Sequence, residues 1–183
     1  LRKYLESNPN NVYARKLLAH ALLRNAQPAQ AVATLTPALK DARQDAQLLA
    51  LAGESYMQVR DFDKASNYLQ QAATLAPQAA TVRTSLGLSR LAQGDQARGL
   101  SELETAATLD PKSIQATMAL VQTEMGMKRY DRAEAAVAAL ELCGHRLGQD
   151  IDVFAKEALP FLNLFRKEIM ALHEDVKEAG EFL

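Results

Sequence analysis

The chain has 183 residues, 48% hydrophobic and 23% charged, which is enough for one globular or repeat domain with a buried core and is not the composition of a disordered chain. A net charge of −1 and the lack of any Lys/Arg-rich run exclude the basic footprint that phosphate neutralisation needs, so nucleic acid is not an expected partner. No stretch approaches the run of about 18 apolar residues that spans a membrane, no signal-peptide order is present, and the single cysteine, Cys143, excludes an internal disulfide.

In chain order, residues 1–11 (LRKYLESNPNN) read as the end of a helix followed by a turn that carries Pro9, and the partner of that helix is expected upstream of Leu1. From Val12 the chain repeats itself. Leu49, Ala52, Gly53, Tyr56, Phe62, Ala65, Leu69, Ala72 and Pro77 stand at offsets that return once before and twice after, which divides the chain into units 12–45, 46–79, 80–113 and 114–147. Each unit reads as helix, short turn, helix. The turns between units carry Pro9, Arg43, Pro77, Pro111 and finally His145. Proline suits that place because its fixed φ is compatible with the first turn of the next helix and its missing N–H is not needed there.

Small residues recur at the eighth, twentieth and twenty-seventh places: Ala19, Ala31 and Ala38; Gly53, Ala65 and Ala72; Gly87, Gly99 and Ala106; then Val121, Ala133 and Leu140. A glycine inside a helix costs roughly 1 kcal/mol against alanine. Close approach of paired helices at Gly53, Gly87 and Gly99 is the expected compensation. Leu18, Leu22, Leu35 and Leu39, and later Leu86, Leu100, Leu103 and Leu109, fall between the small places at helical spacings. One hairpin cannot bury such a face, whereas stacked neighbours can. Asp61 and Asp95 are expected to cap the second helices of their units, Asp131 to sit in the first turn of the fourth, and Gly94 to take a left-handed conformation. Pro37 lies inside a second helix, removes a bond to the Ala33 carbonyl, and predicts a kink.

After Glu141 the pattern stops. Phe154, Phe161, Phe165 and Phe182 appear, and Ile151, Ala155, Ala158, Leu162, Phe165, Ile169, Leu172, Val176, Ala179 and Leu183 alternate at spacings of four and three. That heptad seam predicts a long C-terminal helix within residues 148–183, N-capped by Asp150 and kinked or restarted at Pro160. Phe154, Leu162, Phe165, Ile169, Leu172 and Val176 are its candidate contact residues. They are expected to cap the fourth unit against Val121, Val137 and Leu140 or to dock on a second copy. The tail is acidic and the remainder slightly basic, which favours attraction between them at low salt.

The period and its residues, with Gly53, Tyr56, Ala65 and Pro77 as the model unit, resemble the tetratricopeptide repeat (TPR). The resemblance implies an all-α TPR α-solenoid, a right-handed superhelix of helical hairpins. The segments RTSLGLSRLAQGDQARGLSELETAATLDP and QATMALVQTEMGMKRYDRAEAAVAALE are similar to the large bacterial TPR lipoproteins that accompany PEP-CTERM/exosortase and exopolysaccharide systems, over residues 1–141 at most. That second resemblance implies a periplasmic or outer-membrane-associated protein that assists polymer or protein export through contacts.

A TPR solenoid binds partners in the concave groove lined by the first helix of each unit. By position the lining here is Tyr13, Lys16, Leu17, His20 and Leu23; Leu51, Glu54 and Met57; Leu88 and Leu91; and Met118, Gln122 and Met125. Chaperone-binding TPR domains hold a peptide carboxylate between lysine, asparagine and arginine. Only Lys16 matches that pattern, with His20, Leu51, Thr81 and Ser85 at the other places, so an apolar peptide or amphipathic helix is expected instead. For any one leucine or methionine of this lining, sealing adjacent helices is an equal alternative. No catalytic set is placed by any motif. Cys143 and His145, two apart around Gly144, lack the further ligands of a zinc site and read as a helix-ending loop, and residues 94–99 lack the Lys-Ser/Thr of a phosphate loop. The expectation is a binding scaffold without cofactor or metal and without enzymatic activity. The alternative is a structural or oligomerising module that uses the tail.

Overall fold

The structure, a computed structural model, describes residues 1–40, 44–146, 163–164 and 167–171. Among them the regular elements are all helices, with no strand: α1 (Arg2–Ser7), α2 (Val12–Arg24), α3 (Pro28–Leu39), α4 (Ala46–Gln58), α5 (Phe62–Leu75), α6 (Ala80–Ala92), α7 (Gln96–Leu109), α8 (Ile114–Gly126) and α9 (Tyr130–Arg146). Two compact units, Leu1–Glu102 and Leu103–Leu183, divide within α7.

Local chemistry repeats with the helices. The side chains of Asn11, Asp45 and Ser113 accept the N–H groups of Ala14, Leu48 and Ala116 at 2.9, 2.9 and 3.2 Å, satisfying donors that the first turns of α2, α4 and α8 leave free. Asp61 and Asp95 do the same for Lys64 and Arg98 at 3.2 and 3.3 Å, and Asp131 stands in the first turn of α9. Each first helix ends alike. Gln27, Asp61, Asp95 and Arg129 donate their N–H groups to the carbonyls of Leu22, Tyr56, Arg90 and Glu124 at 2.9–3.0 Å, closing a Schellman motif. The residue before each donor is left-handed: Ala26 (φ 53°), Arg60 (64°), Gly94 (85°) and Lys128 (58°). Only Gly94 adopts this conformation without a Cβ penalty.

The prolines sit slightly differently from the expectation. Asn11, Ala79 and Ser113 donate to the carbonyls of Asn8, Ala76 and Asp110 at 3.0–3.2 Å, so Pro9, Pro77 and Pro111 occupy the second place of a four-residue turn ahead of the helix N-cap, not the first helical turn. Pro37 is inside α3 and exposed, and α3 ends two residues later at Leu39. A second difference concerns Cys143 and His145. They fall inside α9, which continues to Arg146, where the sequence suggested a helix-ending loop and an inter-unit turn at His145. Nothing in that stretch is a strong breaker, since Gly144 alone costs a helix only about 1 kcal/mol.

In the first unit α2 packs on α3 and α4, α4 on α5 and α6, and α5 on α6, so each hairpin meets its sequence neighbours. Ala19, Ala31, Leu35, Leu48, Leu49, Ala52 and Ala72 form one buried cluster, and Leu69, Ala73 and Leu86 another. Gly53 and Gly99 mark the close approaches. A Cβ on Gly53 would collide with Leu69 Cγ and lie 2.8 Å from its Cδ2; one on Gly99 would lie 2.7 Å from Leu91 Cγ and 3.0 Å from the Gly87 carbonyl oxygen. In the second unit α8 packs on α9, and Val121, Ala133, Val137, Leu140 and Ile169 form the core. Ile169 is 1% exposed and lies in a helical stretch, residues 167–171. Phe154, Leu162, Phe165, Leu172, Val176, and with them Asp150 and Pro160, lie outside the described residues.

Candidate functional site

The first unit contains a groove of about 550 Å³ walled by α2, α4 and the start of α6. Its lining comprises Tyr13, Lys16, Leu17 and His20 from α2, Gln47, Ala50, Leu51 and Glu54 from α4, and Thr81 and Val82 from α6, with Ala46, Ala76 and Ala79 at its edge. The helical repeat explains which side chains meet there. Within each repeat unit the second, fifth, sixth and ninth places fall on one face of the first helix, and α2 and α4 present that face side by side. Alanines keep the walls low. Tyr13 and Leu17 remain 69% and 43% exposed on the rim, an unusual place for two large apolar side chains one helical turn apart.

Six of the residues expected from sequence therefore come together: Tyr13, Lys16, Leu17, His20, Leu51 and Glu54. Four others do not line the groove. Leu23, Met57, Leu91 and Met125 all occupy the twelfth place of their units, and that place turns inward. Leu23 packs against the Leu22–Leu35 core, Met57 against Leu69 and Leu86, Leu91 over Gly99, and Met125 against Val121 and Val137. Leu88 is half-buried on α6, and on α8 in the second unit Met118 is half-buried and Gln122 exposed. The second unit has its own apolar hollow, about 360 Å³, between Thr108, Pro111, Leu120, Ala136 and Ala139.

The groove's charges are unequal in their commitments. Lys16 Nζ lies 3.0 Å from Asp45 Oδ2 and 3.0 Å from Gln47 Oε1, so its ammonium is already held. Burial pushes the Asp45 carboxyl up, but the Leu48 N–H and the hydrogen bond and charge of Lys16 outweigh it, and the pKa falls below the ordinary value. Glu54 shifts the other way. Its side chain reaches solvent, yet the groove walls desolvate the carboxyl and raise its pKa, an effect opposed by the charge of His20.

Two fasteners outside the groove were not recognised from sequence. Arg15 and Arg83 donate from Nε to the carbonyls of Pro9 and Pro77 at 2.8 and 3.0 Å, and from a terminal nitrogen to the Thr34 carbonyl and the Glu102 carboxylate at 2.7 and 2.8 Å. Each ties the turn before its unit to the second helix within it. The recurrence of arginine at the fourth place of the first and third units, in each case shortly after a proline, was the available signal. Among the described residues no group of three or more His, Cys, Asp or Glu is placed to hold a metal ion, and no helix is long and apolar enough to cross a membrane.

Comparison with known proteins bears on the fold. Residues 1–55 and 50–114 each match a sequence model described as tetratricopeptide repeat. No curated protein matches the chain in sequence. Among solved structures the chain is similar to MamA, at 20% identity and a TM-score of 0.72 over 81% of this chain and 86% of that one. It is also similar to TTC0263, a thermophilic TPR protein of Thermus thermophilus, at 18% identity and a TM-score of 0.66 over 93% and 86% of the two chains. A third similar structure is the second TPR domain of human RPAP3 in complex with the HSP70 peptide SGPTIEEVD, at 18% identity and a TM-score of 0.58 over 62% of this chain and 94% of that one. With two repeat models spanning residues 1–114 and paired helices continuing to Arg146, the protein folds as an all-α TPR solenoid, and its residues 1–114 belong to the tetratricopeptide-repeat family.

Proposed function

We propose that this protein is an interaction scaffold that holds a peptide or helix of a partner protein in the α2–α4–α6 groove. The observation that carries the reading is the groove itself: a concavity with alanine walls whose rim keeps Tyr13 and Leu17 in solvent beside the buried Leu51. Apolar side chains held exposed along a groove gain free energy when a ligand covers them, on the order of 25 cal/mol per Å². The RPAP3 domain, which has the same fold, was solved with a peptide bound, and that supports a protein segment as ligand here. In this reading residues 12–147 work as four units, and chemistry on a substrate is no part of the role.

The resemblance to bacterial TPR lipoproteins of exopolysaccharide and PEP-CTERM systems, over residues 1–141 at most and carried by residues 83–111 and 115–141, supports a finer proposal, an envelope assembly in the periplasm or at the outer membrane. For the tail, the burial of Ile169 among Val121, Val137 and Leu140 of the same chain favours capping over oligomerisation, because that seam residue is not on offer to a second copy.

The test is to pan the protein against a displayed random peptide library and titrate the enriched peptides. Tyr13→Ala with Leu17→Glu, both on exposed positions, should lower their affinity by about tenfold or more while leaving helicity unchanged, as expected for the loss of apolar anchors worth roughly 1–2 kcal/mol. Unchanged affinity would place the binding surface elsewhere.

A further inference from the structure

We infer that the segment received by this groove is apolar and carries a lysine or arginine whose cation pairs with Glu54; the inference rests on the groove reading above. Two charged side chains of opposite sign line the cavity, and only one is free. Lys16 is bonded to Asp45 and Gln47, and Asp45 is itself anchored as the N-cap of α4 through the Leu48 N–H at 2.9 Å. A ligand carboxylate would have to displace that anchored pair. Glu54, by contrast, has no hydrogen bond or close ion pair among the described residues, and the charge of His20 is the interaction it does have.

The surroundings strengthen the asymmetry. Leu17, Leu51, Val82 and Ala50 share the cavity with Glu54, and partial desolvation there raises its pKa although the side chain still reaches solvent. His20, on the facing helix, opposes that shift by its charge and is the one nearby group able to compensate it. A carboxylate in a partly desolvated, apolar-walled groove attracts an ammonium or guanidinium through a charge-assisted hydrogen bond, which is about twice as strong as a neutral one. An acidic segment would meet the like charge of Glu54, with Lys16 already bonded to Asp45 and Gln47 and the charge of His20 already set against Glu54. The polarity is therefore opposite to that of a carboxylate-binding groove.

Peptides enriched from the random library provide the probe. They should pair a large apolar residue with a Lys or Arg, and replacing that cation by norleucine should weaken binding about tenfold, a factor in the range of one charge-assisted hydrogen bond. Glu54→Gln should weaken the cationic peptide by the same factor and leave the norleucine peptide unaffected; Glu54→Lys should shift enrichment toward acidic peptides. The glutamine variant should fold normally. A carboxyl with a raised folded pKa favours the folded state at pH below its unfolded pKa and loses that contribution as pH rises through the folded one, so removing the charge at neutral pH should not lower the melting temperature. If enriched peptides carry no cation and ignore Glu54→Gln, yet still depend on Tyr13 and Leu17, this inference is wrong and the groove reading stands. Indifference to all of these substitutions would overturn both.

Discussion

The hairpins α4–α5 and α8–α9 occupy the second and fourth units of the same repeat frame and solve the same packing problem with different side chains. In α4–α5, Gly53 admits Leu69, whose isobutyl group fills the space that a Cβ on the glycine would take. In α8–α9 the corresponding places hold Val121 and Val137, both buried in one cluster. A glycine–leucine pair has become two valines. The neighbouring pair changes more. Tyr56 and Tyr68 stack with ring centroids 5.6 Å apart, Arg90 and Glu102 form an ion pair at 2.8 Å in the third unit, and in the fourth the same places hold Glu124 and Ala136. Glu124 is 2% exposed; Arg132 of α9 and Arg129 of the turn pair with it only at 3.6 and 3.7 Å, and its Oε2 has no hydrogen bond. The repeat decides where a side chain points, and its neighbours decide whether its chemistry is satisfied there.

The largest effect should come from breaking the glycine–leucine pair. Gly53→Val alone drives a branched side chain into Leu69 and should destabilise the protein by several kcal/mol, at or above the upper end of overpacking penalties. Adding Leu69→Val should recover much of that loss, because the pair then copies Val121 and Val137. Chemical denaturation of the two single variants and the double variant measures the coupling. Additive losses would mean that the two hairpins close by unrelated means.

A smaller effect, of opposite sign, is expected at the buried carboxylate. Glu124→Leu, which places in the fourth unit the residue that Leu22 supplies in the first, should stabilise by about 1–3 kcal/mol, since it removes a buried group whose hydrogen bonding is incomplete. A lower melting temperature for this variant would show that the two arginines already compensate the charge. Smallest are the left-handed turns. Arg60→Gly and Lys128→Gly should each stabilise by roughly 0.5–1 kcal/mol, and Gly94→Ala should destabilise by a similar amount, because only the Cβ penalty at positive φ changes. Thermal melts of the three variants check the sign in each hairpin.

The sequence by itself determined the helices, their pairing and the small-residue crossings, because the repeat period expresses a backbone geometry that every unit must share. It also determined which helix face carries Tyr13, Lys16, Leu17, His20, Leu51 and Glu54, since helical spacing alone brings those places to one side. The caps at Asn11, Asp45 and Ser113 and the arginine fasteners at Arg15 and Arg83 are equally written at the period, although only their bonds single them out from other polar residues of the turns. What only the tertiary structure decided was orientation within a few tens of degrees and the pairing of charges. The twelfth place, home to Leu23, Met57, Leu91 and Met125, sits at the border of the groove-facing arc, and contact with the second helix turns it inward. Lys16 meets Asp45 and Gln47 at the start of the next unit's first helix, so its commitment, and the freedom it leaves to Glu54, depends on how neighbouring helices stack and not on any local pattern.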